Sequence, residues 1–324
     1  PLGRIPAAFL DVAHKNGVAV SGVAGVPYGG LSSAYKAMMA GLYNVGAKKA
    51  SQFFNYYGID GMGYNSEFSD YSGTVDDLRD FHADLMKQMK AKNPIFMNFW
   101  YDGTNDAGSI QFDQGLGSHN QETFGDSKNP RTSLFFNYNW NKESLLSGSV
   151  TKAESMKRDP LDLYAGINMQ GGEPANLPWS LLGKYRISIG LWGAHSYNMF
   201  WESRGEQGSS EDAKQNTYLE RVERYFTGGT RNPANCPSVM SGNQYNAKNY
   251  KWHGISTFVT AHSALSWDLG EEPFITYFNL GNGKFFNLNG ERKTSTPWYN
   301  VGMQDYLPTW HFWFADKLLG RTAA

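Results

Sequence analysis

The stretch GIDGMGYNSEFSDYSGTVDDLRDFHADLMKQMKAK, residues 58–92, decides the fold. It opens as an apolar, glycine-studded run of strand length and turns through polar residues. It then continues as a pattern in which Val75, Leu78, Phe81, Leu85 and Met86 share one broad helical face. Asp76 and Asp77 stand near the start of that pattern and Lys87, Lys90 and Lys92 near its end, as a helix dipole favours, with Thr74 as the expected N-cap. Strand followed by helix is the repeating half of a βαβ unit.

The same order recurs along the chain. Apolar runs of strand length are VAVSGVA at 18–24, PIFMNFWYD at 94–102, TSLFFNYNW at 132–140, DLYAGINM at 161–168 and RISIGLWGAHS at 186–196. Their near-continuous hydrophobicity favours a parallel sheet covered on both faces. Helices are expected within 31–57, broken near Gly46, within 141–157 and within 211–226. The fold class is therefore α/β, a (β/α)8 TIM barrel. Such a barrel has eight strands; six are legible before residue 200, so one or two are expected to be missing from the start or to lie in weaker signals. Residues 1–250 are read as the main part of the barrel, with an irregular region at 228–250. Residues 251–324 are read as an extension packed on it or leading to an accessory β domain, with strand-like FITYFNL and GKFFNLN and the aromatic end WHFWFADKLL.

Composition narrows the function. A formal net charge of -1 with 18% charged residues gives no broad electrostatic reason to bind nucleic acid or an anionic membrane. No run of 18 apolar residues is present, so no membrane-spanning segment is expected. PLGRIPAAFL at 1–10 lacks the basic start and apolar core of a secretion signal, so either there is none or the chain begins after it. The single cysteine, Cys236, excludes an internal disulfide and a cysteine metal cluster. GVPYGGLSS at 25–33 lacks the Gly-Lys-Ser/Thr ending of a phosphate loop and the spacing of a dinucleotide fingerprint. No HExxH or calcium-loop pattern occurs, and structural or surface roles are the default for the seven histidines. No cofactor and no metal are expected. Ten Trp, 19 Tyr and 20 Phe suit stacking on sugar rings as well as packing in a core.

Polar residues gather at the C-terminal ends of the expected strands: Asn65 and Glu67, then Asn98, Tyr101 and Asp102, then Asn137 and Tyr138, then Asn168 and Gln170. In a parallel barrel these ends converge on one mouth, where active sites are built; the alternative is that they cap loops. By strand periodicity residues 65 and 67 share a face. A carboxyl group partly desolvated there can act as a general acid on a glycosidic oxygen. An amide two residues earlier cannot be the usual carboxylate nucleophile. It suits a substrate that supplies its own: a 2-acetamido sugar can place its carbonyl oxygen on the anomeric carbon when its N–H is held and its carbonyl stabilised. Asn65 can accept that N–H, and a tyrosine such as Tyr101 can donate to the carbonyl. Water then attacks with Glu67 as base, and configuration is retained.

Ordered motifs strengthen this reading. DVAHKNGVAVSG at 11–22, GIDGMGYNSE at 58–67, FWYDG at 99–103, FFNYNW at 135–140, YAGINMQG at 164–171 and LPTW at 307–310 resemble the catalytic region of the endo-β-N-acetylglucosaminidases of glycoside hydrolase family 85. The resemblance implies cleavage of the β-1,4 bond between the two core N-acetylglucosamines of N-linked glycans through an oxazoline, with possible transfer to another acceptor. It implies that Asn65 orients the acetamido group, that Glu67 is the acid/base, that Tyr101 stands beside the reacting amide and that Trp140 lines the cleft. It also implies that VAVSGVA is the third barrel strand. Phe112 stands where relatives often carry tryptophan, Asn168 where they often carry aspartate, and His311 where they often carry arginine. Asn137, Tyr138, Trp100 and Trp310 are further candidates for the glycan, while Glu202 either holds sugar hydroxyls or braces a loop. The expected partners are N-linked glycans on glycoproteins or glycopeptides, high-mannose favoured. The expected location is secreted, periplasmic or on the cell surface of a bacterium, with the cytoplasm as alternative. Rival functions are a hexosaminidase for another N-acetylglucosamine-containing oligosaccharide and a non-catalytic carbohydrate-binding protein.

Overall fold

The computed structural model describes residues 5–15, 17–168 and 178–193, and beyond these 210, 212–213, 216, 226–231, 235, 254–257, 282–285, 287–288 and 291–299. The chain divides into two compact units, one of residues 1–4 and 20–198 and one of residues 5–19 and 199–324. Helix α1 (Ala7–Lys15) belongs to the second.

The first unit is built on strands β1 (Ser21–Gly25), β3 (Gly61–Asn65), β5 (Met97–Tyr101), β6 (Ser133–Phe135), β7 (Leu163–Asn168) and β8 (Ser188–Trp192). They form one sheet in the order β1-β3-β5-β6-β7-β8, and every neighbouring pair is parallel. Each of the six apolar runs read from the sequence supplies one of these strands. All strands point the same way, so their polar C-terminal residues lie along one edge. Two shorter strands, β2 (Gly29–Gly30) and β4 (Phe68–Ser69), pair in parallel beyond that edge.

The connecting helices follow from local signals. α2 (Ser33–Val45) starts where the Ser32 hydroxyl accepts the Tyr35 N–H, and it stops at Gly46, whose φ of 81° no other residue adopts cheaply. α3 (Ala47–Tyr57) follows directly, so the expected break at Gly46 separates two helices. α4 (Thr74–Lys90) buries Val75, Leu78, Phe81, Leu85 and Met86 and carries acids in its first turn and lysines in its last. Its N-cap is Gly73, not Thr74 as the sequence suggested, because the Thr74 hydroxyl is spent on the buried Asp70 carboxylate. Burial raises the proton affinity of Asp70, but hydrogen bonds from Lys36, Thr74 and Ser72 outweigh it and hold the group well below the usual carboxylate range. Asp70 thereby ties α2 to the start of α4. α5 (Gln121–Phe124), α6 (Glu143–Ser155) and α7 (Trp179–Lys184) complete the unit.

Its interior contains Phe54, Phe68, Phe96, Phe124 and Phe136 together with Trp100, Trp140 and Trp179, all essentially without exposed surface. Burial of a large apolar side chain such as Phe stabilises by about 1.5–3 kcal/mol, so these side chains, drawn from strands, helices and loops alike, tie the elements of the unit together.

Of the second unit the description covers α1 and short pieces. β9 (Asn282–Gly283) pairs antiparallel with β12 (Trp298–Tyr299), and β10 (Asn287–Leu288) with β11 (Glu291–Arg292). The GKFFNLN run thus contributes to two small ladders, and the Arg292 guanidinium lies 3.8 Å from the Phe285 ring centre. FITYFNL, the aromatic end at 310–319 and the boundary expected at residue 250 lie outside the described residues.

Candidate active site

β3 ends at Asn65, and the next two residues turn. The Glu67 N–H donates to the Asn65 carbonyl at 3.0 Å, and Ser66 between them is fully buried with its hydroxyl donating to the Tyr101 carbonyl at 2.7 Å. With Ser66 pinned inward, side chains 65 and 67 both stay half-exposed, and Asn65 Nδ2 donates to Glu67 Oε2 at 3.0 Å. The two groups meet through this turn, since the strand has already ended. The bond commits the amide nitrogen to the carboxylate and leaves Oδ1 as the end that can accept.

The backbone of Glu67 is braced from two sides. Gly29 N–H donates to the Glu67 carbonyl at 3.0 Å, and Leu31 N–H continues the ladder to Ser69 at 3.1 Å. Gly29 has φ of 111°, which only glycine takes without strain. The glycine-rich stretch that fails as a phosphate loop is therefore a splint for the acid, a role the sequence reading missed. On the other side, the buried Thr104 hydroxyl accepts the Phe68 N–H at 3.0 Å and lies 2.9 Å from the Ser66 carbonyl and 2.7 Å from the Phe68 carbonyl. Gly103 packs flat against the same turn. A Cβ there would stand 2.4 Å from the Ser66 carbonyl oxygen and 3.2 Å from both Glu67 Cγ and Phe112 Cε1.

Tyr101, the last residue of β5, is the hub of an aromatic wall. Its ring centre lies 5.9 Å from Phe112, 6.0 Å from Phe135, 6.1 Å from Tyr138 and 6.5 Å from Trp192, whose ring is nearly parallel to it at 14°. Its hydroxyl donates to Asn137 Oδ1 at 2.7 Å. Burial, Tyr138 and the Glu67 charge together push the Tyr101 hydroxyl far above the usual phenol range, and burial with the Glu67 charge pushes Tyr138 up to about 12. Both hydroxyls thus keep their protons and remain donors.

Phe112 sits on the long loop between β5 and α5, and the buried Asp102 carboxylate anchors that loop. It accepts the Gln114 N–H at 2.6 Å, the Asp113 N–H at 3.3 Å and Asn120 Nδ2 at 3.2 Å. Burial pushes this carboxyl up to about 7, and the donors only partly offset the shift. The loop is also stitched to itself through Gln111 N–H to the Gly103 carbonyl at 2.7 Å.

The structure therefore brings Asn65, Glu67, Tyr101, Phe112, Asn137 and Tyr138 to neighbouring strand ends. Asn168 ends β7 in register with Trp192. Asn98 is buried within β5 and donates to the Arg131 carbonyl, away from this cluster. Trp100 and Trp140 correct the expectation that their rings meet sugar: both are interior, with indole N–H groups donating to the Thr104 and Gly166 carbonyls. An indole whose only polar atom finds a carbonyl inside has no reason to remain at the surface. Gln170, Glu202 and Trp310 lie outside the described residues. Among the described residues no group of three or more His, Cys, Asp or Glu side chains could hold a metal ion, and no helix is long and apolar enough to cross a membrane.

Comparison with known proteins follows the same lines. The model of glycosyl hydrolase family 85 matches residues 5–286. The chain belongs to this family. Among curated relatives, the cytosolic endo-beta-N-acetylglucosaminidase of Homo sapiens is 23% identical over 321 residues, covering 97% of this chain and 36% of that protein. The Gallus gallus protein of the same name is 22% identical over 313 residues, covering 94% and 36%, and cytosolic endo-beta-N-acetylglucosaminidase 2 of Arabidopsis thaliana is 22% identical over 316 residues, covering 95% and 38%. The chain thus spans little more than a third of the length of these relatives. The glycoside hydrolase domain of Spr0440, Endo-D from Streptococcus pneumoniae R6, matches with a TM-score of 0.73 at 23% identity, over 93% of this chain and 46% of that one. That likeness fixes the fold of the family 85 chain: its six parallel strands are part of a (β/α)8 barrel.

Proposed function

We propose that this chain is an endo-β-N-acetylglucosaminidase that cleaves the β-1,4 bond between the two core N-acetylglucosamines of N-linked glycans with help from the substrate's own acetamido group. The observation that carries the reading is the Asn65–Glu67 hydrogen bond at 3.0 Å, one strand away from the Tyr101 hydroxyl. Glu67 gives its proton to the departing glycosidic oxygen while the acetamido carbonyl oxygen closes on the anomeric carbon. Asn65 Oδ1 accepts the acetamido N–H, and the Tyr101 hydroxyl turns from Asn137 to donate to the carbonyl. The nitrogen keeps its proton, so the ring is an oxazolinium ion; its opening by water, with Glu67 taking a proton from that water, gives retention. A sugar hydroxyl in place of that water gives transglycosylation by the same steps.

The names of the curated relatives support both this activity and a cytoplasmic location over the secreted one expected from the sequence. High-mannose glycans are the favoured substrate. The test is mass spectrometry of products from a defined high-mannose N-glycopeptide, with chito-oligosaccharides alongside. Release of the glycan with one N-acetylglucosamine left on the peptide is expected, and Glu67→Gln should lose most turnover. Cleavage of chito-oligosaccharides alone would favour the rival hexosaminidase, glycan retention without turnover would favour a lectin, and near-normal cleavage by Glu67→Gln would remove that residue from its role.

A further inference from the structure

Gln114 is a non-glycine residue in the left-handed region, with φ of 60°. Such a conformation is unfavourable for a residue with a Cβ, and where it persists the surroundings must over-determine it. Glycines stand at 115 and 117, so the loop has residues better suited to that conformation close at hand. The chain instead puts a long amide there. Two hydrogen bonds explain what it holds. The Gln114 N–H donates to Asp102 Oδ2 at 2.6 Å, which fixes its backbone to the end of β5. Its side-chain Oε1 accepts the Asn139 N–H at 2.8 Å. Asn139 lies in the segment after β6 that also carries Asn137, the acceptor for the Tyr101 hydroxyl, and Tyr138, a ring neighbour of Tyr101.

We infer that Gln114 is a positioning residue, tying the loop that carries Phe112 to the segment that carries Asn137 and Tyr138, so that both sides of the Tyr101 wall are set together. The inference rests on the proposed reaction, in which Tyr101 acts on the acetamido group. Gln114 touches no reacting atom; it acts through Asn139. Its side chain adds what the backbone conformation alone would not: a direct bond from the Phe112 loop to the segment after β6, beside the bond from the Leu116 N–H to Ser149 Oγ that seats the same loop on α6.

Three variants of the intact chain separate these contributions. Gln114→Ala removes the acceptor and keeps the strained backbone, Gln114→Gly removes the acceptor and relieves it, and Gln114→Glu keeps an acceptor oxygen. Turnover of the N-glycopeptide is expected to fall about tenfold in kcat for Ala and Gly alike, with KM nearly unchanged, because the interactions loosened are those made in the transition state. Glu should recover most of the loss, and the Gly variant should unfold at no lower temperature than the parent. Hydrogen–deuterium exchange should rise at residues 137–140 in the Ala and Gly variants. Parental kcat in Gln114→Gly, or unchanged exchange at 137–140 in Gln114→Ala, would overturn the inference. The exchange arm needs no turnover, so a parent chain that releases no glycan would sink the assigned reaction while the tie between the loops is still decided.

Discussion

Adding a single methyl group at Gly103 should disable the enzyme without unfolding it. The Cβ of Gly103→Ala would lie 2.4 Å from the Ser66 carbonyl oxygen, and real Cβ atoms essentially never approach closer than 3.0 Å. The obstacle is backbone, so no rotamer change relieves it. The turn bearing Ser66 and Glu67 must retreat by at least about 0.6 Å, and misplacement approaching 1 Å can cost about 10²-fold in rate. That corresponds to about 2.7 kcal/mol of lost transition-state stabilisation. The global cost of overpacking is about 1–3 kcal/mol, which a domain of this size survives. The assay is kcat on an N-glycopeptide beside a thermal melt, with Gly117→Ala as control, since a Cβ at 117 meets nothing within 4 Å. Expected are a folded Gly103→Ala protein with kcat down about 10²-fold and a control near the parent. Parental kcat in a folded Gly103→Ala would refute the view that close packing of this turn places the acid.

Other consequences can be measured in parallel. Thr104→Val leaves the Phe68 N–H and Ser66 carbonyl without their buried partner and should cost about 1–3 kcal/mol in denaturant unfolding; an unchanged midpoint would count against the brace. Gly29→Ala forces a side chain to φ of 111° in open space, so it should cost about 1–3 kcal/mol and slow turnover by shifting the partner of the Glu67 carbonyl; a neutral variant would show that the splint is dispensable. His82, packed against Tyr64 with Nε2 3.0 Å from its hydroxyl, is pushed down to about 3 by burial and by Arg131. The unfolded chain binds that proton from about pH 6.5, so the parent should lose up to about 1.4 kcal/mol per pH unit from this group as pH falls towards 3, and His82→Phe should lose that slope. Asp102, pushed up to about 7, has the opposite sign. Folded, it keeps its proton in a range where the unfolded chain has released it, so it withdraws stability as pH rises from about 4 to 7, and Asp102→Asn should make stability rise more steeply with pH there. Indistinguishable slopes in parent and variant would refute either assignment.

The six main strands were legible because buried parallel strands leave continuous apolar runs, and the helices because their charges and glycine breaks follow end chemistry. The errors have local causes. Within 132–140 the strand is read as closing at Asn137 and Tyr138, and β6 ends just before them at Phe135, with the Phe136 N–H still donating to the Tyr164 carbonyl of β7. Thr74 looks like a cap in the sequence because nothing there reveals that Asp70 has already claimed its hydroxyl. Trp100 and Trp140 carry the chemistry of sugar platforms, and only the buried carbonyls of Thr104 and Gly166 that accept their N–H groups show that they belong to the interior. The Asn65–Glu67 pair was visible as a spacing, whereas the β2–β4 splint was not: two residues per strand are too few to leave a periodic trace.

The loop between β5 and α5 has a root and a tip that differ in kind. At the root, Gly103 and Thr104 press on the turn that carries Glu67; further out, Phe112 joins the aromatic wall and Gln114 holds the segment after β6. Changes confined to the outer part therefore spare the contacts of Gly103 and Thr104 with the Glu67 turn, while those that remove Gln114 also release the segment after β6. An exchange of loops whose splice points lie beyond residue 104 keeps both residues that pack on the Glu67 turn, and one cut two residues earlier replaces them.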